Sequence, residues 1–242
     1  MSLSIIIPVY NEKDQIKNTL KKLVEFKKII NDLYIIIIDD QSTDKTYYIV
    51  KKFAKRKKFI KIYSNPKKGL GSAIETGIRK SKSKYLSIFM SDMSDSLKDL
   101  KKYYKLIQKN NVDAVFGTRF SKKSTVYGYP MLKLFLNRIF NNFVRIIFFS
   151  KYNDFTNAFK IYNRKSLLQL MPIVSENFNV FLELPLKIIA RKYSYTITSI
   201  NWRKRTRGSS KFEIRELGSM YLFTLLYCLF EKILLNKKKW KF

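Results

Sequence analysis

Residues 85–95 read Tyr85-Leu-Ser-Ile-Phe-Met-Ser-Asp-Met-Ser-Asp95. Tyr85 to Phe89 is a short apolar run of the length of a buried strand, and Met90 to Asp95 is the acidic turn that follows it. Open α/β sheets bind ligands beyond the carboxyl ends of their strands. Asp92 and Asp95 offer hard oxygen at such a place, with Ser94 able to assist. Hard oxygen suits Mg²⁺ or Mn²⁺, and such an ion can hold a diphosphate. Acidic turns are common and most are only solvated, so the flanking chain has to decide.

Upstream, apolar runs alternate with helical spacing. Residues 3–9 read as a buried strand closed by Pro8, 14–30 as a helix, 33–38 as a β-branched strand, 45–57 as a helix and 59–63 as a third strand. A turn-rich loop, 65–71, leads to a helix over 73–81. Beyond the acidic turn come a helix over 97–109 and a strand over 113–117. This alternation predicts an α/β fold, with right-handed crossovers and a mostly parallel sheet flanked by helices. No internal repeat or low-complexity linker interrupts it.

The 242 residues suffice for one large domain, and a 46% hydrophobic content supplies its core. The formal net charge is +31, from 49 Lys+Arg against 18 Asp+Glu. Nucleic acid, an anionic membrane surface or phosphate-bearing substrates would each account for that excess. So would dispersed, solvated charge in a chain rich in Lys, Asn and Ile. Histidine is absent, which excludes histidine bases and metal ligands and leaves such work to carboxylates. The single Cys228 excludes an internal disulfide and a Cys-rich zinc site, and points to a reducing compartment. The N-terminus has no basic n-region and runs straight into a strand, so no signal peptide is expected.

After Arg119 the pattern changes. Residues 131–149 place Leu132, Phe135, Leu136, Ile139, Phe140, Phe143, Ile146 and Ile147 on one helical face, with Lys133, Asn137, Arg138, Asn141, Asn142 and Arg145 filling the rest. This amphipathic helix is either core-facing or interfacial at a membrane. Leu217 to Phe230 is an uninterrupted apolar run, about 21 Å as helix at 1.5 Å per residue. A span needs about 20 residues, so a hairpin, a re-entrant anchor or an interfacial helix is expected over 217–235. The tail Asn236-Lys-Lys-Lys-Trp-Lys-Phe242 suits the boundary of an anionic leaflet. The expected organisation is a catalytic domain over 1–212 and a membrane-associating segment over 213–242.

Four turns lie at the carboxyl ends of the early strands, and in a parallel sheet they converge on one edge. With two later motifs they read Ser4-Ile-Ile-Ile-Pro-Val-Tyr-Asn-Glu12, Ile38-Asp-Asp-Gln-Ser-Thr-Asp44, Gly69-Leu-Gly-Ser-Ala73, Met90-Ser-Asp92, Gly117-Thr-Arg119 and Arg205-Thr-Arg-Gly-Ser-Ser-Lys211. Over about residues 3–212 the chain resembles the family 2 glycosyltransferases, most closely their dolichol-phosphate mannose synthase-like group. The resemblance implies a GT-A fold, Rossmann-like, with a mixed, mostly parallel sheet. It implies that Pro8, Tyr10, Glu12 and Ser91 line the nucleotide and that Asp40 accepts from the base. Gly69 and Gly71 would let the backbone come close, and Lys68 would meet a phosphate. Asp92 would be the last acid of an Asp-x-Asp metal motif. Arg119, Arg205, Ser210 and Lys211 would clamp the diphosphate and the acceptor phosphate, and Asp154 would order the acceptor loop. One position departs from the family: Met90 stands where the first Asp of the metal motif belongs, and a soft thioether is a poor ligand for Mg²⁺.

The expected reaction is inverting transfer of a sugar from a nucleotide-diphosphate donor to a polyprenyl phosphate, at the cytoplasmic face of a membrane. An acceptor phosphate is already ionised and requires no base. A hydroxyl acceptor, the alternative, requires a carboxylate base, for which Glu183 is the candidate; single carboxylates more often serve structure, and Glu183 then reads as a paired structural acid in a helix. A non-catalytic basic protein binding membranes or nucleic acid is the remaining reading. Nucleic acid is not the expected partner, because the aromatics cluster in apolar helices instead of alternating with Lys on a strand platform.

Overall fold

β1 (Leu3–Val9) is buried along its whole length, as a central strand covered on both faces requires. The structure is a computed structural model that describes residues 1–203 and 214–237. After β1 come α1 (Ile16–Lys27), β2 (Leu33–Asp39), α2 (Thr46–Ala54), β3 (Ile60–Ser64), α3 (Leu70–Lys80), β4 (Tyr85–Ile88), α4 (Leu97–Asn110) and β5 (Ala114–Thr118). A short β6 (Val126–Tyr127) leads into α5 (Met131–Ile147). Then follow β7 (Lys160–Asn163), α6 (Arg164–Gln169), α7 (Val180–Ala190), β8 (Tyr195–Ser199), β9 (Trp202–Arg203) and α8 (Ile214–Lys237).

Seven strands form one sheet in the order β3-β2-β1-β4-β7-β5-β8. β7 alone runs antiparallel to its neighbours, so the sheet is mixed and mostly parallel, as expected. β2 and β3 lie on one side of β1 and β4 on the other. The chain order therefore reverses between β1 and β4, and the crevice beyond their carboxyl ends is where such sheets bind ligands. The two-residue alternation of β1 divides the core. Ile5 and Ile7 pack with Leu20 and Leu23 of α1 and Leu100 of α4. Ile6 packs on the opposite face with Ile74 and Ile78 of α3 and the apolar residues of α7.

α5 is turned the other way from a core helix. Leu132, Phe135, Leu136, Ile139, Phe143 and Ile146 are exposed, while Asn141 and Val144 are buried. The core-facing reading of 131–149 is thereby corrected for most of the stripe: those six side chains point away from the domain, and only Phe140 and Ile147 of the stripe pack against the core. The 217–235 stretch is also not a hairpin but part of one continuous helix, α8. One side of α8 buries Thr224, Leu225 and Cys228, and its ring of Tyr221 meets Phe140 of α5 with centroids 5.8 Å apart. Leu222, Phe223, Phe230 and Leu234 stay exposed. Residues Gly218–Leu235 are long and apolar enough, by length and composition, to cross a membrane.

Candidate active site

The turns after β1, β2 and β3 are sewn together by side chains that the local sequence dictates. Asn11 takes a left-handed conformation (φ 53°) that Asn tolerates. Its amide oxygen accepts from the backbone N–H of Thr43 at 2.8 Å, and its own N–H donates to Ser42 Oγ at 3.0 Å. Glu12 N–H donates to Thr46 Oγ1 at 2.8 Å, and the Glu12 carboxylate accepts from Gln15 Nε2 at 2.7 Å. Asp40 Oδ1 accepts from Asn65 Nδ2 at 2.6 Å and from the Gly69 N–H at 2.9 Å. Lys68 Nζ lies 5.0 Å from the centre of the Tyr10 ring. Tyr10, Asp40, Lys68 and Gly69 thus form one group with Asn65 as its partner; neither Asn65 nor Asn11, which laces the adjoining turns, stands out in the sequence alone. Pro8 is buried inside β1, in register with Ile38 of β2.

The two glycines of the 69–71 turn differ. Gly69 has a φ of +132°, which a side chain would strain. Gly71 is close to protein, not to open space: a Cβ there would sit 1.7 Å from Ser175 O. Its N–H donates to Glu176 O at 3.0 Å.

The acidic turn follows β4. Ser91 is buried and its carbonyl accepts from Thr19 Oγ1 of α1 at 2.6 Å. Ser94 donates to Asp92 Oδ1 from both Oγ (2.8 Å) and N (3.0 Å), so its hydroxyl orients the carboxylate. Burial, and after it the charge on Asp92, pushes Asp95 up to about 7. Arg119, at the end of β5, lies within electrostatic reach of Asp95. Its guanidinium is 8% exposed and is held by Asp154 through Nε (2.9 Å) and Nη2 (2.6 Å). Burial pulls the Arg119 pKa down, but the Asp154 carboxylate outweighs it and the net shift is upward. Asp92, Asp95, Arg119 and Asp154 form the second group. At about 4.8 Å per strand, the four steps from β2 to β5 put the two ends of the rim roughly 19 Å apart.

Burial and the neighbouring Asp92 charge make the ionised Asp95 carboxylate unfavourable, and a divalent cation beside the two would reverse that penalty. Among the described residues no cluster of three or more acidic, Cys or His ligands exists, so any ion would need phosphate oxygens to complete its shell. That is the ordinary habit of Mg²⁺.

Glu183 does not join either group. It is fully buried in α7 and pairs with Lys187 at 2.5 Å. Its oxygens also accept from Val174 N (3.0 Å) and Ser175 N (2.8 Å), holding the loop that packs on Gly71. Lys160, which the sequence reading passed over, is buried beneath the second group with Nζ donating to the carbonyls of Phe155, Asn157 and Phe181. Arg138 of α5 and Arg119 both approach the Phe120 ring, at 5.3 Å and 5.4 Å from its centre. Arg205, Ser210 and Lys211 lie outside the described residues.

The sheet order, with its switch point between β1 and β4, is that of the GT-A-like fold class. Residues 4–171 match the family described as Glycosyl transferase family 2, and the chain belongs to it. It is 23% identical over 232 residues to glycosyltransferase AglD of Haloferax volcanii, covering 93% of this chain and 37% of that protein. It is 27% identical over 218 residues to a dolichyl-phosphate beta-glucosyltransferase of Dictyostelium discoideum, covering 83% and 66%. The chain thus spans about one third and just under two thirds of those two relatives' lengths. Glucosyl-3-phosphoglycerate synthase from Mycobacterium tuberculosis, solved with Mn²⁺, UDP and phosphoglyceric acid, shares the fold at a TM-score of 0.70 and 16% identity, covering 94% of this chain and 78% of that one.

Proposed function

We propose that this protein moves a sugar, with inversion, from a UDP-sugar to a polyprenyl phosphate at a membrane surface. One observation carries the reading: an outward apolar helix, α5, is hydrogen-bonded through Thr156 to the arginine of the acidic site. A soluble acceptor has no use for such a face, and monomeric soluble proteins rarely expose one. The name of one relative, a dolichyl-phosphate beta-glucosyltransferase, agrees with a lipid phosphate acceptor, and the fold neighbour holds UDP.

In this mechanism the group around Asp40 and Gly69 binds the nucleoside and the Lys68 ammonium faces its phosphates. Asp92 and Asp95 would hold a Mg²⁺ or Mn²⁺ ion, which supplies charge neutralisation for the leaving diphosphate. Arg119 is fixed before substrate arrives, so it stabilises developing negative charge without reorganising. Among the described residues Nη1 of Arg119 has no hydrogen-bond partner and is the atom available to a phosphate. The acceptor phosphate is already anionic and attacks the anomeric carbon directly, so no base is needed. The burial and pairing of Glu183 support this over a hydroxyl acceptor.

The test is transfer of radiolabelled glucose from UDP-glucose to undecaprenyl phosphate in vesicles, with Mn²⁺, against a water-soluble saccharide acceptor. Lipid-linked product supports the reading; labelled saccharide alone overturns it. Thermal shifts with UDP- and GDP-sugars then identify the donor.

A further inference from the structure

The inward side of α5 is polar at its centre. Asn141 is fully buried, and α5 buries only Asn141 and Val144. Asn141 Nδ2 donates to Thr156 Oγ1 at 3.1 Å, and Thr156 N–H returns to Asn141 Oδ1 at 3.3 Å. The Thr156 hydroxyl donates to Asn137 Oδ1 at 3.2 Å and accepts from Arg119 Nη2 at 3.4 Å. One donor and two acceptor sites are the full capacity of a hydroxyl, and here all three are used, two on α5 and one on the arginine. Asn137 also donates to the hydroxyl of Tyr129, whose ring lies 5.9 Å from the Arg119 guanidinium. A helix attached by so few buried groups can change its seating, and this polar contact is where a change reaches Arg119.

We propose that Thr156 is a positioning residue: its hydroxyl couples the seating of α5 on an anionic bilayer to the presentation of Arg119 at the acceptor phosphate. The inference rests on the lipid-phosphate reading above. The apolar stripe of α5 enters the interface, the exposed Arg138 and Arg145 that flank it meet anionic headgroups, and the inward Asn137 and Asn141 then hold Thr156 and Arg119 in register.

Two readouts test it on the full chain, with vesicles of phosphatidylglycerol and phosphatidylcholine. The first is hydrogen exchange at residues 154–158, which needs no turnover. Wild-type protein gains protection there when vesicles bind; Thr156→Val, which keeps the shape and loses the hydroxyl, binds the same vesicles without that gain. The second is kinetic: Thr156→Val lowers kcat about tenfold, as expected for one lost orienting contact, with the KM for UDP-glucose unchanged. Thr156→Ser restores both. Vesicle binding with equal protection in wild type and Thr156→Val overturns the coupling while leaving the lipid-acceptor reading intact. Failure of wild type to bind vesicles overturns both. Transfer activity absent, but with the exchange difference present, supports the coupling and counts against the assigned substrate.

Discussion

Arg119 is locked to Asp154 by a two-pronged contact, Nε to Oδ2 at 2.9 Å and Nη2 to Oδ1 at 2.6 Å, and the backbone N–H of Arg119 adds a third bond to Asp154 Oδ2 at 2.8 Å. Such a fork fixes direction as well as distance. Asp154 is fully buried, so its removal would leave a cation without its partner in a dry place. Asp154→Asn is expected to cost about 3–5 kcal/mol in urea unfolding. Arg119→Lys cannot reproduce the fork and is expected to lower transfer on the order of 10²-fold. A lysine variant with wild-type turnover would show that charge alone, not direction, matters at this position.

Glu183 separates a base from a brace. A catalytic base replaced by Gln loses turnover and keeps stability. The buried partner of Lys187, which also accepts from Val174 and Ser175, does the reverse. Glu183→Gln is expected to lose about 3 kcal/mol of stability, with folded protein keeping its kcat within a few-fold. A stable variant with abolished turnover would restore the hydroxyl-acceptor mechanism.

Two glycines make opposite predictions. At Gly71 a Cβ meets backbone, Ser175 O at 1.7 Å, which cannot yield as a side chain would. Gly71→Ala is expected to displace the 173–176 loop and destabilise by several kcal/mol, on the order of an overpacked core site. At Gly218 in α8 nothing lies within 4 Å of the added atom. Gly218→Ala is expected to gain about 0.5–1 kcal/mol from helix propensity. Melting temperatures of the two variants moving in the same direction would contradict this.

The parts of this fold legible in the sequence are those in which local pattern and final burial agree. Leu3–Val9 and Leu33–Asp39 are apolar on both faces because both faces are covered, and their turns lie at the switch point because the strands are parallel. β7 was illegible. It is four residues long and begins with Lys160, whose ammonium is buried on three backbone carbonyls. α5 was legible as amphipathic but not in its orientation, since periodicity finds a stripe and not the solvent it faces. Glu183 was visible as an acid in a helix, but its role depends on a loop nine residues upstream. The lacing of Asn11 to Ser42 and Thr43 joins segments about thirty residues apart, a distance at which single-sequence pattern is silent.

Lys160 gives stability a pH dependence with a definite sign. Burial pulls its pKa from 10.5 down to about 7. Between those values the unfolded chain binds a proton that the folded chain does not, so stability rises with pH from about 7 toward 10.5. From pH 7, where the folded amine is still half protonated, to pH 9 the rise is on the order of 2 kcal/mol, the full slope being 1.36 kcal/mol per unit. Lys160→Met removes that slope and also leaves three carbonyls unpaired, so it is less stable throughout. Urea unfolding at pH 7, 8 and 9 checks it. A slope that survives in Lys160→Met would assign the titration to another group.

Met90 is the position where this chain departs from the acid expected there, and it can be changed back. Met90 is half-buried at the end of β4, against the edge of the α3-side core. Met90→Asp would add a third carboxylate beside Asp92 and Asp95. Without metal this deepens the like-charge repulsion that already lifts Asp95, so the variant should melt below wild type. With Mn²⁺ and UDP the added hard ligand favours the ion. The melting gap between metal-free and metal-bound protein should therefore widen, and Mn²⁺ affinity in the presence of UDP should improve roughly tenfold, in line with affinity following ligand charge. Calorimetric titration of Mn²⁺ into each UDP complex measures this directly. Unchanged affinity in Met90→Asp, together with unchanged affinity in Asp92→Asn, would mean that the ion does not bind at this turn.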